Sequence, residues 1–302
     1  MKPKILSLGE VLWDLMPRGP VLGGAPANFA IHARALGADA ALVSRIGNDA
    51  HGLEILNVFQ ANGFPTNLIA VDPTAKTGVV EVQLGADGQP AYVIHEDVAW
   101  DRLSVDACAM ESASKANAIC FGSLAQRAEA SRKAIRALVQ ATPKDALRVF
   151  DINLRQTFYS AEVLGTSLEL ANVLKLNDTE LPVLAGLFSL DGDPRAQLAQ
   201  LAERFRLHAM VYTRGGNGSL LFVDGAFDDH SGIATTVRDT VGAGDSFTAA
   251  TVMGLLAGWP LHEINQTANE VAAFVCSQSG ATPTLPEPLR DRFLEPETAL
   301  AK

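Results

Sequence analysis

The run at 239–245 combines small residues with an acid at each end, in the order Asp-Thr-Val-Gly-Ala-Gly-Asp. Gly242, Ala243 and Gly244 carry little or no side chain, so a bound group can approach their backbone N–H groups closely. Apolar residues recur at helical spacing over 246–259, which predicts that the run leads into a helix. Because the N-terminus of a helix carries a partial positive charge, the sequence predicts a site for an anion here.

Asp245 adds a carboxylate to the predicted anion site. An Asp near its usual pKa of about 4 is ionised at neutral pH and can accept a proton. An anion site beside a carboxylate is what phosphoryl transfer to a hydroxyl needs. The N–H groups stabilise the charge of the transferred group, while the carboxylate accepts the hydroxyl proton. The β-branched segment 234–237 predicts a strand before the run. The alternatives are an ordinary glycine-rich turn, with Asp245 as the N-cap of a helix over 246–257.

Composition narrows the range of functions. The chain has 302 residues, of which 48% are hydrophobic and 19% charged, and its net charge is −10. This fits a globular protein with a sizeable core and disfavours nucleic acid and anionic membranes as partners. The three cysteines and six histidines show no metal-ligand or redox spacing. The start of the chain lacks the apolar core of a signal peptide, so we expect a cytoplasmic protein.

Helices and short apolar strands alternate from about residue 100, which predicts an α/β fold with a mostly parallel sheet and helices on both faces. The predicted strands lie at 5–8, 11–15, 40–46, 67–71, 118–121, 148–152, 173–176, 209–213 and 219–223. The predicted helices lie at 25–36, 51–62, 104–115, 128–141, 161–171, 178–186, 194–206, 246–257 and 262–279. Segments 78–84 and 90–95 flank Gly85-Ala86-Asp87-Gly88, which predicts a hairpin outside the main sheet.

Polar residues follow several of the predicted strands. Ligands of open parallel sheets bind beyond the carboxyl ends of the strands, so these residues are expected to share one site. They are Asp14, Ser123, Asn153, Arg155, Asn177 and Thr213.

The acceptor side of this site is expected near the N-terminus. Asp14 can accept hydrogen bonds from adjacent hydroxyls of a polyol, or can simply be a solvated strand end. Gly23 and Gly24 allow close approach, and the amide of Asn28 both donates and accepts, although the same segment is also a helix entry. Arg155 can bind phosphate or substrate oxygens with two hydrogen bonds, or can form an ion pair with Asp151.

The order of these motifs along the chain resembles the ribokinase-like, or phosphofructokinase B-type, carbohydrate kinases over nearly the whole sequence, and fructokinases most of all. The segments that carry the resemblance are Gly9-Glu10-Val11-Leu12-Trp13-Asp14, Gly23-Gly24-Ala25-Pro26-Ala27-Asn28, Phe121-Gly122-Ser123, Asp151-Ile152-Asn153-Leu154-Arg155, Asn177-Asp178-Thr179-Glu180, Thr213-Arg214-Gly215-Gly216-Asn217-Gly218 and the run at 239–245. Ile152 stands where the family usually has Pro, a departure that removes no reacting group.

The resemblance implies roles for individual residues. Asp245 would be the general base, with Gly242, Ala243, Gly244 and Arg155 at the transferred group. The acceptor would contact Asp14, Gly23, Gly24, Asn28 and Asp245. ATP would lie along Asn177, Thr213, Gly215, Gly216, Gly218, Gly244 and Asn269. Glu180 would be linked to Mg²⁺. A monovalent cation such as K⁺ would lie near Asp239, Val241, Val275, Gln278, Gly280 and Thr284. For the nucleotide segments, a helix cap at Asn177 or Asp178 and a plain turn at 215–218 remain the structural alternatives.

The function predicted from the sequence is an ATP-dependent sugar kinase, with fructose as the expected acceptor. We expect one domain over 1–302, with a small β lid formed by about 10–20 and 74–100 and a homodimer that could pair through the lid. A kinase of 2-keto-3-deoxygluconate, of another sugar or of a nucleoside is an alternative, and Arg102, Arg127 or Arg155 could bind the carboxylate of a sugar acid. A further hypothesis is a non-catalytic sugar-binding protein.

Overall fold

Nine strands form one large sheet in the computed structural model, which describes residues 1–16, 19–84 and 90–294. Six of the pairings between neighbouring strands are parallel, and the two at one edge are antiparallel. The strands, from one edge to the other, are β13 (Ala226–His230), β12 (Ser219–Val223), β11 (Ala209–Thr213), β10 (Val173–Asn177), β9 (Leu147–Asp151), β8 (Ala118–Gly122), β1 (Lys4–Leu8), β4 (Asp39–Gly47) and β5 (Ile69–Asp72). The predicted parallel sheet is confirmed.

Helices cover both faces of the large sheet, as predicted. They are α1 (Ala25–Ala35), α2 (Ala50–Ala61), α3 (Ala107–Ser114), α4 (Glu129–Ala141), α5 (Ala161–Leu170), α6 (Leu181–Phe188), α7 (Pro194–Phe205), α8 (Ala243–Leu256), α9 (Leu261–Cys276) and α10 (Glu287–Leu294). Strand β1 illustrates why two layers form: Leu6 and Leu8 pack into the core with α3–α7, whereas Ile5 packs into the core with α1, α8 and α9. Alternate side chains of a strand point to opposite faces, so an apolar strand requires cover on both.

A second, smaller sheet stands apart from the first. Its order is β3 (Gly19–Gly23), β2 (Leu12–Met16), β6 (Gly78–Leu84) and β7 (Pro90–Ile94). Trp13 of this small sheet shares a core with Ile46, Ile55 and Phe59, which attaches the small sheet to β4 and α2. The predicted turn at 85–88 lies outside the described residues. Strand β3 was not predicted, because three of its five residues are glycine or proline, which are uncommon in strands.

One predicted strand is wrong. Residues 234–237 form no strand and are exposed, so their β-branched residues have no apolar face to cover. The edge strand is instead β13, which pairs with β12 through the two-residue turn Asp224-Gly225. Both turn residues have positive φ angles of 46° and 89°, which is the conformation of a tight hairpin. The Asp-Gly pair was the sequence signal for this hairpin.

None of the described helices is both long enough and apolar enough to cross a membrane.

Candidate active site

The strand order reverses at β1, and this places a crevice at the carboxyl ends of β1 and β8. After β1 the chain passes through β2, β3 and α1 to reach β4 on one side, whereas β8 lies on the other side. A reversal of this kind is where open parallel sheets bind ligands. The register pairs Gly122 with Asp151 and Asn177 with Thr213, so the polar residues at or after the ends of β8 to β11 share one edge of the large sheet. Asp14 was expected to follow a strand at the same edge, but it lies in the middle of β2 in the small sheet, because the chain leaves the large sheet after β1.

The anion site forms at the start of α8. The helix begins at Ala243, three residues earlier than predicted, with Gly242 as its N-cap at a φ angle of +79°. Asp245 therefore lies in the first turn and is not the N-cap. The first N–H groups of a helix have no partner within it. That of Ala243 donates to the carbonyl of Thr240 at 3.3 Å, so the N–H groups of Gly244 and Asp245 are the better candidates for an anion.

A side chain is excluded at Gly242 and would be tightly placed at Gly244. A Cβ atom at Gly242 would overlap the carbonyl oxygen of Ala281. One at Gly244 would lie 3.2 Å from the Nζ atom of Lys175. The backbone of Gly242 thus packs tightly on the protein side of the site, and a glycine is required there.

Asp245 is partly buried and accepts a hydrogen bond from Asn28 Nδ2 at 2.8 Å. Burial and the nearby Asp151 raise the pKa of Asp245 from 3.8 to about 6, while Lys175, Asn28 and Arg155 oppose the rise. The expected pKa of about 4 is therefore wrong, because the sequence does not reveal how dry the site is or which acid lies next to it. Asn28 comes from α1, and its own Oδ1 atom is buried without a partner. A hydroxyl donor in the crevice would satisfy that atom.

A buried ion pair lies directly behind the anion site. Lys175 Nζ donates to Asp151 Oδ1 at 3.0 Å, and Thr248 of α8 contacts Asp151 Oδ2 at 3.3 Å. Asp151 and the nearby Glu180 raise the pKa of Lys175 against the effect of burial. Asp151 therefore pairs with Lys175 and not, as the structural alternative had it, with Arg155. Sequence analysis did not single out Lys175, whose only signal was a charge inside the apolar strand β10.

Replacing Lys175 with Met should lower the free energy of unfolding by about 3–5 kcal/mol, because Asp151 would be left buried and unpaired. Urea unfolding measures this. Lys144→Met on the surface is the matched control, and the double change Lys175→Met with Asp151→Asn should recover part of the loss. Unchanged stability in Lys175→Met would show that water reaches Asp151.

Glu180 and Asn177 form a closed hydrogen-bonded corner. The two Glu180 oxygens accept the N–H groups of Leu154 and Asn177 at 2.9 and 2.8 Å. Asn177 Oδ1 accepts from the N–H groups of Thr179 and Glu180 in the turn before α6, whose N-cap residue is Glu180, so Asn177 is not the helix cap of the structural alternative. Burial raises the pKa of Glu180, and Lys175 opposes the rise. Among the described residues no three His, Cys, Asp or Glu side chains cluster as a metal site. Glu180 and Asn177 offer carboxylate and amide oxygens, which fit Mg²⁺ held through waters and phosphate oxygens, since that ion keeps several waters.

The residues expected to contact the acceptor belong to the small sheet or follow it: Asp14 lies in β2, Gly23 ends β3, and Gly24 precedes α1. A Cβ atom at Gly23 would overlap the carboxylate of Asp14. Gly24 has a φ angle of +105°, and a Cβ atom there would lie 2.5 Å from the carbonyl oxygen of Glu10. Burial raises the pKa of Asp14, and Arg155 opposes the rise.

Glu10 is a further acid of this region that sequence reasoning missed. It lies two residues after the end of β1, is 3% exposed, and has one carboxylate oxygen without a partner. Burial raises its pKa to about 7, and the charge of Asp245 adds to the rise. It lines a small cavity with Ser123, Asp151 and Asn153. An acid after an apolar strand was the available signal.

The expected nucleotide residues fall into two groups. Thr213 ends β11, and neither Gly215 nor Gly216 has a neighbour that a Cβ atom would contact within 4 Å, so both face open space. Gly218 is enclosed, since a Cβ atom there would overlap the carbonyl of His230. Asn269 is buried, and its amide donates to Ser219 and Asn265 of a polar cluster between α9 and β12. Gly218 and Asn269 therefore contact other parts of the protein, whereas Gly215 and Gly216 remain open.

The expected cation residues join two loops. Asp239 accepts the N–H groups of Val241 at 3.0 Å and Gly280 at 3.1 Å. The Val275 carbonyl accepts the N–H group of Gln278, and Thr284 is exposed. Carbonyl and carboxylate oxygens suit K⁺, and hydrogen bonds bring the segments 238–241 and 276–280 together, whereas none of them reaches Thr284.

The three arginines considered for a sugar acid differ in their partners. Arg127 makes two 2.8 Å hydrogen bonds to Asp101, and Arg102 pairs with Asp97 at 2.7 Å. Both line a cavity of about 500 Å³ that holds as many acids as arginines. Arg155 is exposed, and within the described part of the chain no carboxylate lies within 4.0 Å of it. Its charge lowers the pKa of Glu10, Asp14 and Asp245, so it faces the crevice.

Comparison with known proteins identifies relatives of this chain. The model of the pfkB family carbohydrate kinases matches residues 19–288. A fructokinase of Solanum tuberosum is 28% identical over 305 residues, covering 93% of this chain and 92% of its own. The structure of an uncharacterized sugar kinase from Pyrococcus horikoshii in complex with ATP matches with a TM-score of 0.78 at 28% identity, over 92% of this chain and 95% of that one. A Vibrio cholerae fructokinase with fructose, ADP and calcium bound matches with a TM-score of 0.80 at 23% identity, over 97% and 99%, and so indicates the fold alone.

Proposed function

The chain belongs to the pfkB family of carbohydrate kinases, and from that premise we propose that it transfers the γ-phosphoryl group of ATP to a hydroxyl of fructose. The observation that carries the proposal is the start of α8. A carboxylate and a set of helix N-terminal N–H groups lie within one turn there, and Asn28 joins that turn to the acceptor side.

The chain's own residues have separate tasks in this reaction. Ionised Asp245 accepts the proton of the acceptor hydroxyl, and Asn28 holds its carboxylate. The N–H groups at the start of α8 and the helix dipole stabilise the negative charge of the transferred group. Arg155 supplies a positive charge on the solvent side of the crevice, and Lys175 supplies one behind Gly244. Asp14, Gly23 and Gly24 would contact the acceptor.

ATP would lie along the ends of β10 and β11, near Asn177, Thr213, Gly215 and Gly216, with Gly218 and Asn269 supporting that surface. Mg²⁺, when bound with ATP, supplies charge neutralisation on the phosphates, and Glu180 would assist through water. A monovalent cation near Asp239 and Gly280 would stabilise the loop that leads into α8.

Support for fructose comes from relatives named fructokinase. One observation favours a second acceptor: Arg155 lacks a carboxylate partner among the described side chains and could bind the carboxylate of a sugar acid such as 2-keto-3-deoxygluconate. The small sheet would act as a lid that closes over the acceptor and excludes water. Its edges could pair with those of a second copy.

ATP consumption against a panel of acceptors tests the proposal. The panel holds fructose, other hexoses, ribose, 2-keto-3-deoxygluconate and nucleosides, with Mg²⁺ and K⁺ present. We expect the highest kcat/KM with fructose. A higher value for another member would move the acceptor and keep the mechanism. Sugar binding by thermal shift, with no turnover of any member, would indicate a non-catalytic protein.

The raised pKa of Asp245 predicts the pH dependence of the reaction. Only the ionised carboxylate accepts a proton, so kcat/KM should fall below a pH of about 6 and be about tenfold lower at pH 5. A pH profile of the wild type measures this. Glu10→Gln is the control, because its own raised pKa lies close by. An acid limb that disappears in Glu10→Gln would assign the titration to Glu10 instead.

A further inference from the structure

His32 of α1 is a buried imidazole that the proposed reaction does not use. It is 1% exposed, and its Nε2 atom lies 2.9 Å from the carbonyl oxygen of Ala281, 249 residues away. A carbonyl only accepts, so Nε2 carries the proton and donates. Burial lowers the pKa of His32 to about 4, which keeps the ring neutral. Burying a polar ring is unfavourable unless it is hydrogen-bonded. The hydrogen bond to Ala281 therefore offsets the cost of burying this ring.

The Ala281 carbonyl is also the atom against which Gly242 packs. A Cβ atom at Gly242 would overlap that carbonyl oxygen, so the α-carbon of Gly242 already lies in contact with the same peptide group. The neighbouring N–H group of Gly280 donates to Asp239, at the other end of the 239–245 run. The position of the peptide at 281 therefore limits where the backbone of the anion site can lie.

Helix α1 reaches both halves of the site from one face. Asn28 and His32 are four residues apart, which places them one above the other on a helix. Asn28 donates to Asp245, and His32 donates to the peptide that supports Gly242. One rigid helix thus fixes the proton acceptor and the backing of the anion site relative to each other.

We propose that His32 is a positioning residue of the anion site: its Nε2–H group holds the Ala281 carbonyl against Gly242 and so sets the direction of the N–H groups at the start of α8. The catalytic part of this inference rests on the proposed kinase function. The structural part, the hydrogen bond and its effect on the two loops, does not.

Three variants separate the hydrogen bond from packing. His32→Gln places an amide N–H group near the position of Nε2, His32→Asn is too short to reach Ala281, and His32→Leu fills the space without a donor. Small displacements in an active site lower kcat strongly. We expect kcat to fall by about 10–100-fold in His32→Leu and His32→Asn, with KM for ATP and acceptor changed far less, and to recover largely in His32→Gln.

Hydrogen exchange supplies a readout that does not need turnover. In His32→Leu the amides of 242–245 and 280–282 should exchange faster, whereas those of β8 and β9 should not change. Nitrogen NMR of the wild type should show His32 neutral with its proton on Nε2. If no acceptor is turned over, the kinase proposal fails while exchange still tests His32. Wild-type kcat and exchange in His32→Leu would overturn the inference, as would a loss that His32→Gln does not recover.

Discussion

Asp245→Asn should lower kcat by about 10²–10⁴-fold, the range that a positioned general base contributes. Asn has nearly the same shape and can still accept the hydrogen bond from Asn28, so the site should keep its geometry and lose only the proton acceptor. KM for ATP should change little, because the N–H groups of α8 remain. Steady-state kinetics with saturating ATP and the best acceptor of the panel measure the effect. Asp145→Asn, at an exposed position, is the control.

The same variant should be more stable than the wild type above pH 6. The folded pKa of Asp245, about 6, lies above its usual value of 3.8, so the folded state holds a proton that the unfolded state has released between these values. Stability contributed by this group is therefore lost as the pH rises from about 4 to 6 and does not return at higher pH. Asp245→Asn should remove that loss, a gain of about 1–3 kcal/mol at pH 8. Lower stability together with wild-type turnover would contradict both the burial of the carboxylate and its role.

Local patterns predicted the scaffold well because they repeat. Alternating apolar strands and periodic helices fixed the parallel sheet and its two helical layers, since each apolar strand requires cover on both faces. The polar strand ends then followed from the rule that parallel strands share a carboxyl edge. Strand β13 and the helix start at Ala243 were missed for local reasons: the sequence Ala-Phe-Asp-Asp-His of β13 has no β-branched residue, and small residues gave no periodic signal at the start of α8.

The electrostatics of the site required the tertiary structure. Asp151, Lys175 and Asp245 are far apart in sequence, and the pKa of Asp245 depends on their proximity. Glu10 and His32 were missed for the same reason, because a single acid or histidine in an apolar segment does not reveal its partner. Residue types thus predicted which chemistry the chain could perform, whereas the charge balance that tunes the chemistry arises only when the strand ends meet.

Gly242→Ala should reduce kcat by about 10²–10³-fold, comparable to the loss of one donor from an oxyanion hole. The added Cβ atom would overlap the Ala281 carbonyl, so either the loop at 281 or the backbone of Gly242 must move. Either movement turns the N–H groups at the start of α8 away from the transferred group. The same overlap, with the strain of a non-glycine residue at a φ angle of +79°, should also lower the free energy of unfolding by about 2–4 kcal/mol.

Gly258→Ala is a closely matched control for this change. Gly258 has a φ angle of +70°, but a Cβ atom there would meet nothing within 4 Å. The free energy of unfolding of Gly258→Ala should therefore fall only by the cost of backbone strain, about 1–2 kcal/mol, and its activity should be unchanged. Denaturant unfolding and steady-state kinetics of both variants separate strain from overlap. Equal effects of the two substitutions on kcat would mean that general strain at the ends of α8 limits turnover, and that contact between Gly242 and Ala281 does not shape the anion site.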